Sequence, residues 1–398
     1  AICMFSFRAR PATPIISVQM KSRSLLAVDP DIREEHKKYV FFVRHGESEW
    51  NRGMSTWAFD AILKMVTRHD HPLSAEGLSQ ARRLEGDVLR CLVFRQICQE
   101  GSPCAGSEME GRFLAARVVL CSPLTRAIQT ATVGLRPLLK SHEIATPRYA
   151  PPCVRLLRDI RERRNLGGRD TVGTCRGSSV QERTRHCLRK VLGEVRAREY
   201  DDIIGNIDFS DVQDEWWDNW REPWDAVEQR MSNFVEMIRE LPAEQEPVIA
   251  IGHSQFFREL FRRYGGTPAG EFRRKVLSNC GVVGVTFSFS GHGTPRIIDQ
   301  QLLFSSSLVE KAGPIRFLIS GASGPRFAAM AVVAVVVALV FQGLRWHSTA
   351  AAVSAAGMGL LLSQALQRWL FPRCPQLVIL LWIFSAIFIR ELETREAC

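Results

Sequence analysis

Between residues 39 and 300, short apolar runs alternate with amphipathic stretches, and this alternation restricts the fold more than any other feature of the chain. Tyr39–Val43 is a short run of aromatic and β-branched residues, and Val118–Cys121, Val248–Ile251 and Val282–Phe289 read as further strands. Between them lie helical patterns. Ser74–Leu92 reads as a helix with Ser74 as its N-cap, and Ser122-Pro123 reads as a cap followed by proline at the first helical position, opening a helix that runs through Thr130. Val227, Met231, Phe234, Val235, Ile238 and Leu241 recur at helical spacing, which places an amphipathic helix over 225–241. Ser254–Tyr264 reads as a helix stopped by Gly265-Gly266. Such alternation predicts an α/β domain, three layers deep (α/β/α), around a mostly parallel sheet.

The apolar pattern changes character near residue 326. Phe327–Leu344 is uncharged and rich in Val and Ala, Ser348–Gln367 is uncharged but weaker, and Cys374–Ile389 is short and strongly apolar. A spanning helix needs about 20 apolar residues. The runs predict a C-terminal membrane anchor of one to three transmembrane helices over 327–390, with membrane lipid as partner. Arg326, Arg345, Arg368, Arg373 and Arg390 sit at the edges of the runs, as snorkelling cations do. They bracket both ends of each run, so charge bias sets no topology. Pro372 and Pro375 separate the last two runs, and a buried core hairpin is the alternative reading of the region. The expected organisation is a basic, disordered segment over 1–38, the α/β domain over 39–300 with insertions near 93–117 and 167–215, a linker over 301–326 and then the anchor. Cys98–Ser107 reads as a surface loop, and Gly167–Glu215 as an Arg-rich insertion with few periodic apolar positions.

Lysine and arginine exceed aspartate and glutamate, 52 to 42, for a net charge of +10. That balance suits anionic partners: phosphorylated substrates, nucleic acid or an acidic membrane face. The 11 cysteines are scattered with no Cys-x-x-Cys pair, which argues against a zinc ribbon and a disulfide framework. With no Asn-x-Ser/Thr acceptor, the usage fits a reduced, cytosol-facing domain. Residues 1–28 carry Arg8, Arg10, Lys21 and Arg23 and no acid, and the chain starts at Ala1. A fragment or processed form is expected there, with the basic stretch either a transit-peptide remnant or a disordered segment.

Three predicted strands end in functional groups. Tyr39–Val43 runs into Arg44-His45, Val118–Cys121 into Ser122-Pro123-Leu124-Thr125-Arg126, and Val248–Ile251 into Gly252-His253-Ser254. Ligand sites of open α/β sheets form beyond the carboxyl ends of strands, so two histidines and two arginines are expected at one rim. The residue types suit phosphoryl transfer. Arginines grip phosphate as fixed forks, and nearby arginines keep an imidazole neutral and nucleophilic. An acid must protonate the leaving oxygen. Glu162, within Arg161-Glu162-Arg163-Arg164, is the candidate, with Asp159 and Glu182 as alternatives. Its arginines lower its pKa, while burial or a bound phosphate raises it.

Arg44-His45-Gly46-Glu47-Ser48-Glu49-Trp50-Asn51 resembles the opening motif of the histidine phosphatase superfamily, in the branch that includes phosphoglycerate mutases. His71-Pro72-Leu73-Ser74 with the helix after it, Ser122–Arg126, Arg161–Arg163 and Gly252–Ser254 resemble further motifs of that family, in its order, and the resemblance covers roughly 39–290. It implies that His45 becomes phosphorylated. It implies that Arg44, Arg126 and His253 bind the phosphoryl group, with Asn51 as an additional contact, and that Glu162 is the proton donor and then the base. No metal and no cofactor are implied. The expected substrate is a phosphorylated small molecule or a phosphoprotein, and no nucleic acid partner is expected. Asn51 also reads as a cap at the start of a helix, and Glu47 as structural. Arginines 155, 158, 161, 163, 164 and 169 read as a solvated loop face, or as a set that steers anionic substrate or binds acidic lipid. Trp216, Trp217, Trp220 and Trp224 read as core packing, a lid fastening or a pocket lining.

Within the family, Ser278-Asn279-Cys280-Gly281 and the strand after it resemble the closing strand of phosphatase members. The substrate-contacting stretch of glycolytic mutases is not recognisable at Arg52–Asp60. Both points favour phosphomonoester hydrolysis over phosphoglycerate mutase-type transfer. An inactive, membrane-anchored phosphate-binding scaffold is a further alternative.

Overall fold

The computed structural model describes residues 36–56, 68–97, 107–140, 151–164, 169–217, 222–266, 270–290 and 293–310. Its strands are β1 (His36–Arg44), β2 (Val118–Cys121), β3 (Cys153–Leu156), β4 (Val248–Gly252), β5 (Lys275–Leu277), β6 (Val282–Phe289), β7 (Arg296–Leu303) and β8 (Leu308–Glu310). Six of them form one sheet in the order β3-β2-β4-β1-β6-β7, and β5 pairs with β8. The neighbours β3, β2, β4 and β1 run parallel, while β6 and β7 are antiparallel additions. The sheet is mostly parallel, as the alternation predicts.

Side-chain alternation along β1 creates the layers. Phe41 and Val43 face one apolar cluster, and Val40 and Phe42 face the other, all at 0% exposure. The first cluster is roofed by α2 (Ala75–Ile97), α3 (Glu108–Leu114), α4 (Thr125–Gly134) and α5 (Ser179–Leu192), numbered after α1 (Glu49–Thr56). The second is roofed by α6 (Trp224–Glu240) and α7 (Ser254–Tyr264). A strand buried on both faces reads as a continuous apolar run, which is why the Val40–Val43 part of β1 and the strand β4 are visible in sequence.

Several elements differ from expectation. β1 begins at His36 because its pairing with β6 starts there, His36 opposite Phe289. Ser107 is a cap and not a loop end: its hydroxyl accepts from the Glu110 amide, and the Glu110 carboxylate accepts from the Ser107 amide, a capping box that opens α3. The stretch read as an Arg-rich insertion holds α5, whose Val180, Thr184, Cys187 and Leu188 form a buried stripe. Past residue 300, the sheet continues through β7 to Leu303, and β8 follows. Ser122 does not cap the helix after β2, which begins at Thr125. Asp70 supplies that cap from another segment, its carboxylate accepting from the Thr125 amide at 2.8 Å and from the Thr125 hydroxyl. Ser74 does cap α2, accepting from the Gly77 amide at 3.0 Å, a bond worth about 1 kcal/mol.

Among the described residues no helix is long and apolar enough to cross a membrane. The three apolar runs expected to form the anchor, and the basic stretch over 1–28, lie outside the described residues.

Candidate active site

Register brings the strand ends level. Val43 of β1 and Cys121 of β2 both pair with Ile251 of β4, and Leu156 of β3 pairs with Cys121. The residues that follow on four parallel strands therefore emerge at one rim: Arg44-His45, Ser122, His253 and the segment leading to Glu162. The antiparallel β6 starts at the same level, since Val43 faces Val282. Backbone bonds from Arg44 to Gly281 (3.1 Å) and from Cys280 to the Arg44 carbonyl (3.0 Å) tie the motif to that start.

The loop after β1 is held from both sides. The His45 amide donates to the Gly252 carbonyl, and the Gly46 amide donates to Thr130 Oγ1, each at 3.1 Å. Glu47 accepts the Ser74 hydroxyl at 2.6 Å, a structural role. The helix lies so close to this loop that a Cβ on Gly77 would sit 1.9 Å from the Glu47 carbonyl oxygen, which leaves room only for glycine.

His45 is buried, and its ring centroid lies 4.9 Å from that of His253. Hydrogen-bond partners assign the tautomers. A carbonyl can only accept, so Nδ1 of His45 donates to the Gly46 carbonyl at 2.6 Å, and a guanidinium can only donate, so Nε2 accepts from Arg126 Nε at 3.3 Å. The His45 lone pair therefore sits on Nε2. His253 has the opposite arrangement: Nδ1 faces Arg126 Nη2 at 3.5 Å, and Nε2 donates to Ser122 Oγ at 2.8 Å. Burial, then Arg126, hold both rings well below the ordinary histidine range, so both are neutral near pH 7.

Two guanidiniums frame the pair. Arg126, 2% exposed, also donates from Nη1 to the Asp170 carbonyl at 2.7 Å, and its Nη2 lies 3.7 Å from the Asp170 carboxylate. Arg44 donates to the Leu277 carbonyl at 2.7 Å, and burial pushes its pKa down to about 10 against the pull of Glu162 and Cys280. Glu162 is buried and interacts with both arginines. Burial raises its pKa above the ordinary glutamate range, although Arg126 and the backbone amides of Arg163 and Gln255 pull it down. In the contest between desolvation and arginine neighbours, desolvation wins. Of the alternatives, Glu182 is exposed and pairs with Arg185 at 2.7 Å, while Asp159 interacts with Arg230 and Asn233 on α6.

Asn51 sits in the first turn of α1, and its Oδ1 accepts from the Ser48 hydroxyl at 2.9 Å and the Ser48 amide at 3.2 Å. The arginines around Glu162 are largely committed. Arg155 pairs with Asp208 (3.3 Å), Arg158 with Asp211 (3.5 Å) and Arg161 with Glu222 (3.1 Å), and Arg163 stacks 3.6 Å over Trp224. Glu222 is 2% exposed and takes a bidentate pair from Arg230, at 2.6 and 2.8 Å. This buried cluster fastens the Glu162 segment to α6. Trp216 is buried, with its indole nitrogen on the Cys175 carbonyl at 3.0 Å, a packing role. The side chains of Arg169 and Trp220 lie outside the described residues.

Sequence reasoning missed Asp70, Asp170, Thr130, Arg183 and the Glu222–Arg230 pair. Arg183 of α5 donates to the Asp70 carboxylate at 3.0 Å and to the His69 and Asp70 carbonyls, so the cap of α4, which carries Arg126, is itself anchored. None of these stands at a strand end. The only signal was local, a histidine-flanked aspartate just before Pro72.

Neutral imidazole nitrogen, paired guanidiniums and a carboxyl with raised pKa together suit attack on an electrophile bearing negative oxygens. Residues 178–297 match the model of the histidine phosphatase superfamily, branch 1. The chain resembles that superfamily, as its motifs predict. Among curated proteins none matches. Similar solved structures include the alpha-ribazole phosphatase of Shigella flexneri, at 17% identity over 67% of this chain and 96% of that one, with a TM-score of 0.31. A phosphoglycerate mutase of Bacillus anthracis is 12% identical over 65% of this chain and 92% of that one, with a TM-score of 0.34. A mycobacterial glucosyl-3-phosphoglycerate phosphatase is 14% identical over 69% of this chain and 100% of that one, with a TM-score of 0.33.

Proposed function

We propose that the chain is a metal-independent phosphomonoester hydrolase that works through a phosphohistidine on His45. One observation carries the reading: a neutral His45 whose Nε2 lone pair faces the Arg126 guanidinium, inside a buried cluster that also holds Arg44, His253 and Glu162. The Nε2 lone pair forms the bond to phosphorus as the ester P–O bond breaks. Glu162 gives its proton to the leaving oxygen. Water then attacks, Glu162 takes a proton from it, the P–N bond breaks and phosphate leaves. Arg44 and Arg126 neutralise the equatorial oxygens, and His253 binds beside them. The Asn51 amide nitrogen is the group left to reach an oxygen, since Oδ1 serves Ser48. The start of β6 and the stretch after the first motif favour hydrolysis over mutase transfer.

With an aryl phosphate, the full chain is expected to release inorganic phosphate in step with the phenol. Phosphate exchange between phosphoglycerates without net release would favour a mutase instead. Binding of phosphate with no turnover across a substrate panel would favour a scaffold. The substrate class is a phosphorylated small molecule or a phosphoprotein. We also propose that residues 327–390 anchor the chain to a membrane with the catalytic domain facing the cytosol. The full chain should pellet with membranes and resist carbonate extraction, whereas a chain ending at 320 should not; extraction of the full chain would remove the anchor.

A further inference from the structure

Arg126 is the most committed side chain of the site. Its Nε is given to His45, and one terminal nitrogen faces His253. Two further contacts of its terminal nitrogens are to one acidic residue: Nη1 donates to the Asp170 carbonyl at 2.7 Å, and Nη2 lies 3.7 Å from the Asp170 carboxylate. Asp170 stands on a single turn, Arg169–Thr171, outside every strand end and every motif that pointed to the site. Its side chain is 16% exposed where that of Arg126 is 2%.

The chemistry of the proposed reaction conflicts with this arrangement. When Nε2 of His45 bonds to phosphorus, Arg126 Nε loses its acceptor, and the guanidinium must turn its donors to the phosphoryl oxygens. Carboxylate and phosphoryl group compete for the same fork, and the two anions repel when both stay. Resting on the hydrolase reading, we propose that Asp170 is the resident counter-anion of Arg126, displaced by the substrate's phosphate, so that Asp170 sets the affinity for phosphorylated substrate. Burial holds its carboxyl above the ordinary aspartate range, with Arg126 and Arg164 opposing the effect and Asp70 adding to it. Asp170 is a positioning residue: it acts through Arg126 and takes no part in bond making.

The test uses the full chain with inorganic phosphate and vanadate as probes. D170N should tighten phosphate inhibition of aryl phosphate hydrolysis by about tenfold or more and lower KM in the same proportion, since the repulsion is gone. D170E, which restores the charge, should return both towards wild type. Unchanged or weakened inhibition in D170N, at wild-type thermal stability, would overturn the proposal and make Asp170 a brace. Should D170N not fold, a vanadate complex of the wild-type chain decides. Withdrawal of the Asp170 carboxylate from Arg126 supports the proposal, and vanadate bound with that contact intact overturns it. A wild-type chain that neither binds phosphate nor turns over substrate overturns the hydrolase reading itself, a result distinct from either.

Discussion

Replacing His45 by alanine is expected to lower turnover of an aryl phosphate by about 10⁴-fold or more, because the covalent route is lost while the cationic frame stays. The measurement is a rapid quench with radiolabelled substrate. Wild-type chain should carry label that is stable in base and lost in acid, and H45A should carry none. Geometry also fixes the isomer. Since Nδ1 donates to the Gly46 carbonyl and Nε2 bears the lone pair, the phosphoryl group should sit on Nε2. Label on Nδ1, or wild-type turnover in H45A, would defeat the assignment. The low pKa of His45 adds a pH consequence. A ring that is neutral well below its ordinary range needs no deprotonation near neutrality, so any acidic limb of the rate profile near neutrality must come from another group.

Glu162→Gln should produce the second large effect. Glutamine keeps the shape and cannot give a proton, so phosphoenzyme formation from an alkyl phosphate should slow by about 10²- to 10⁴-fold. An activated aryl ester, whose leaving oxygen departs unprotonated, should lose far less. The pH dependence follows from the raised pKa. The acid form of Glu162 persists to higher pH than that of an ordinary glutamate, so the phosphorylation rate should fall as pH rises through that raised value. E162Q should lose that limb. Dephosphorylation needs the carboxylate and should rise over the same window. Equal slowing of alkyl and activated esters, with the limb intact, would assign the acid elsewhere.

What the chain disclosed before its structure follows from how local each signal is. Val40–Val43 of β1 and the strand β4 are buried on both faces and announce themselves as apolar runs, and β6 is buried throughout although Thr286 and Ser288 interrupt its apolar residues. β3 escaped because Cys153 and Arg155 are exposed and only Val154 and Leu156 face inward, too short a pattern to separate from a loop. The two histidines and two arginines could be placed at one rim because a parallel sheet aligns its carboxyl ends, and the register keeps that promise at Val43, Cys121 and Ile251. Glu162 stood out through its charged neighbours and the motif that Arg161–Arg163 resembles, and whether burial or arginine governs its pKa required the packed site. Asp70 and Asp170 were invisible for a different reason. Their partners lie between 44 and 113 residues away, and no periodicity encodes such a distance.

The sheet order has a consequence for what part of the chain can stand alone. β1 lies between β4 and β6 and bonds to both. The stretch that matches the superfamily model, residues 178–297, holds β4 and β6 without the strand that joins them. It is a signature without autonomy: excised, its two most buried strands would lose their common neighbour, and Arg183 would lose Asp70. A gene fusion that borrowed only this stretch would inherit the family likeness and none of the architecture that gives the likeness a function.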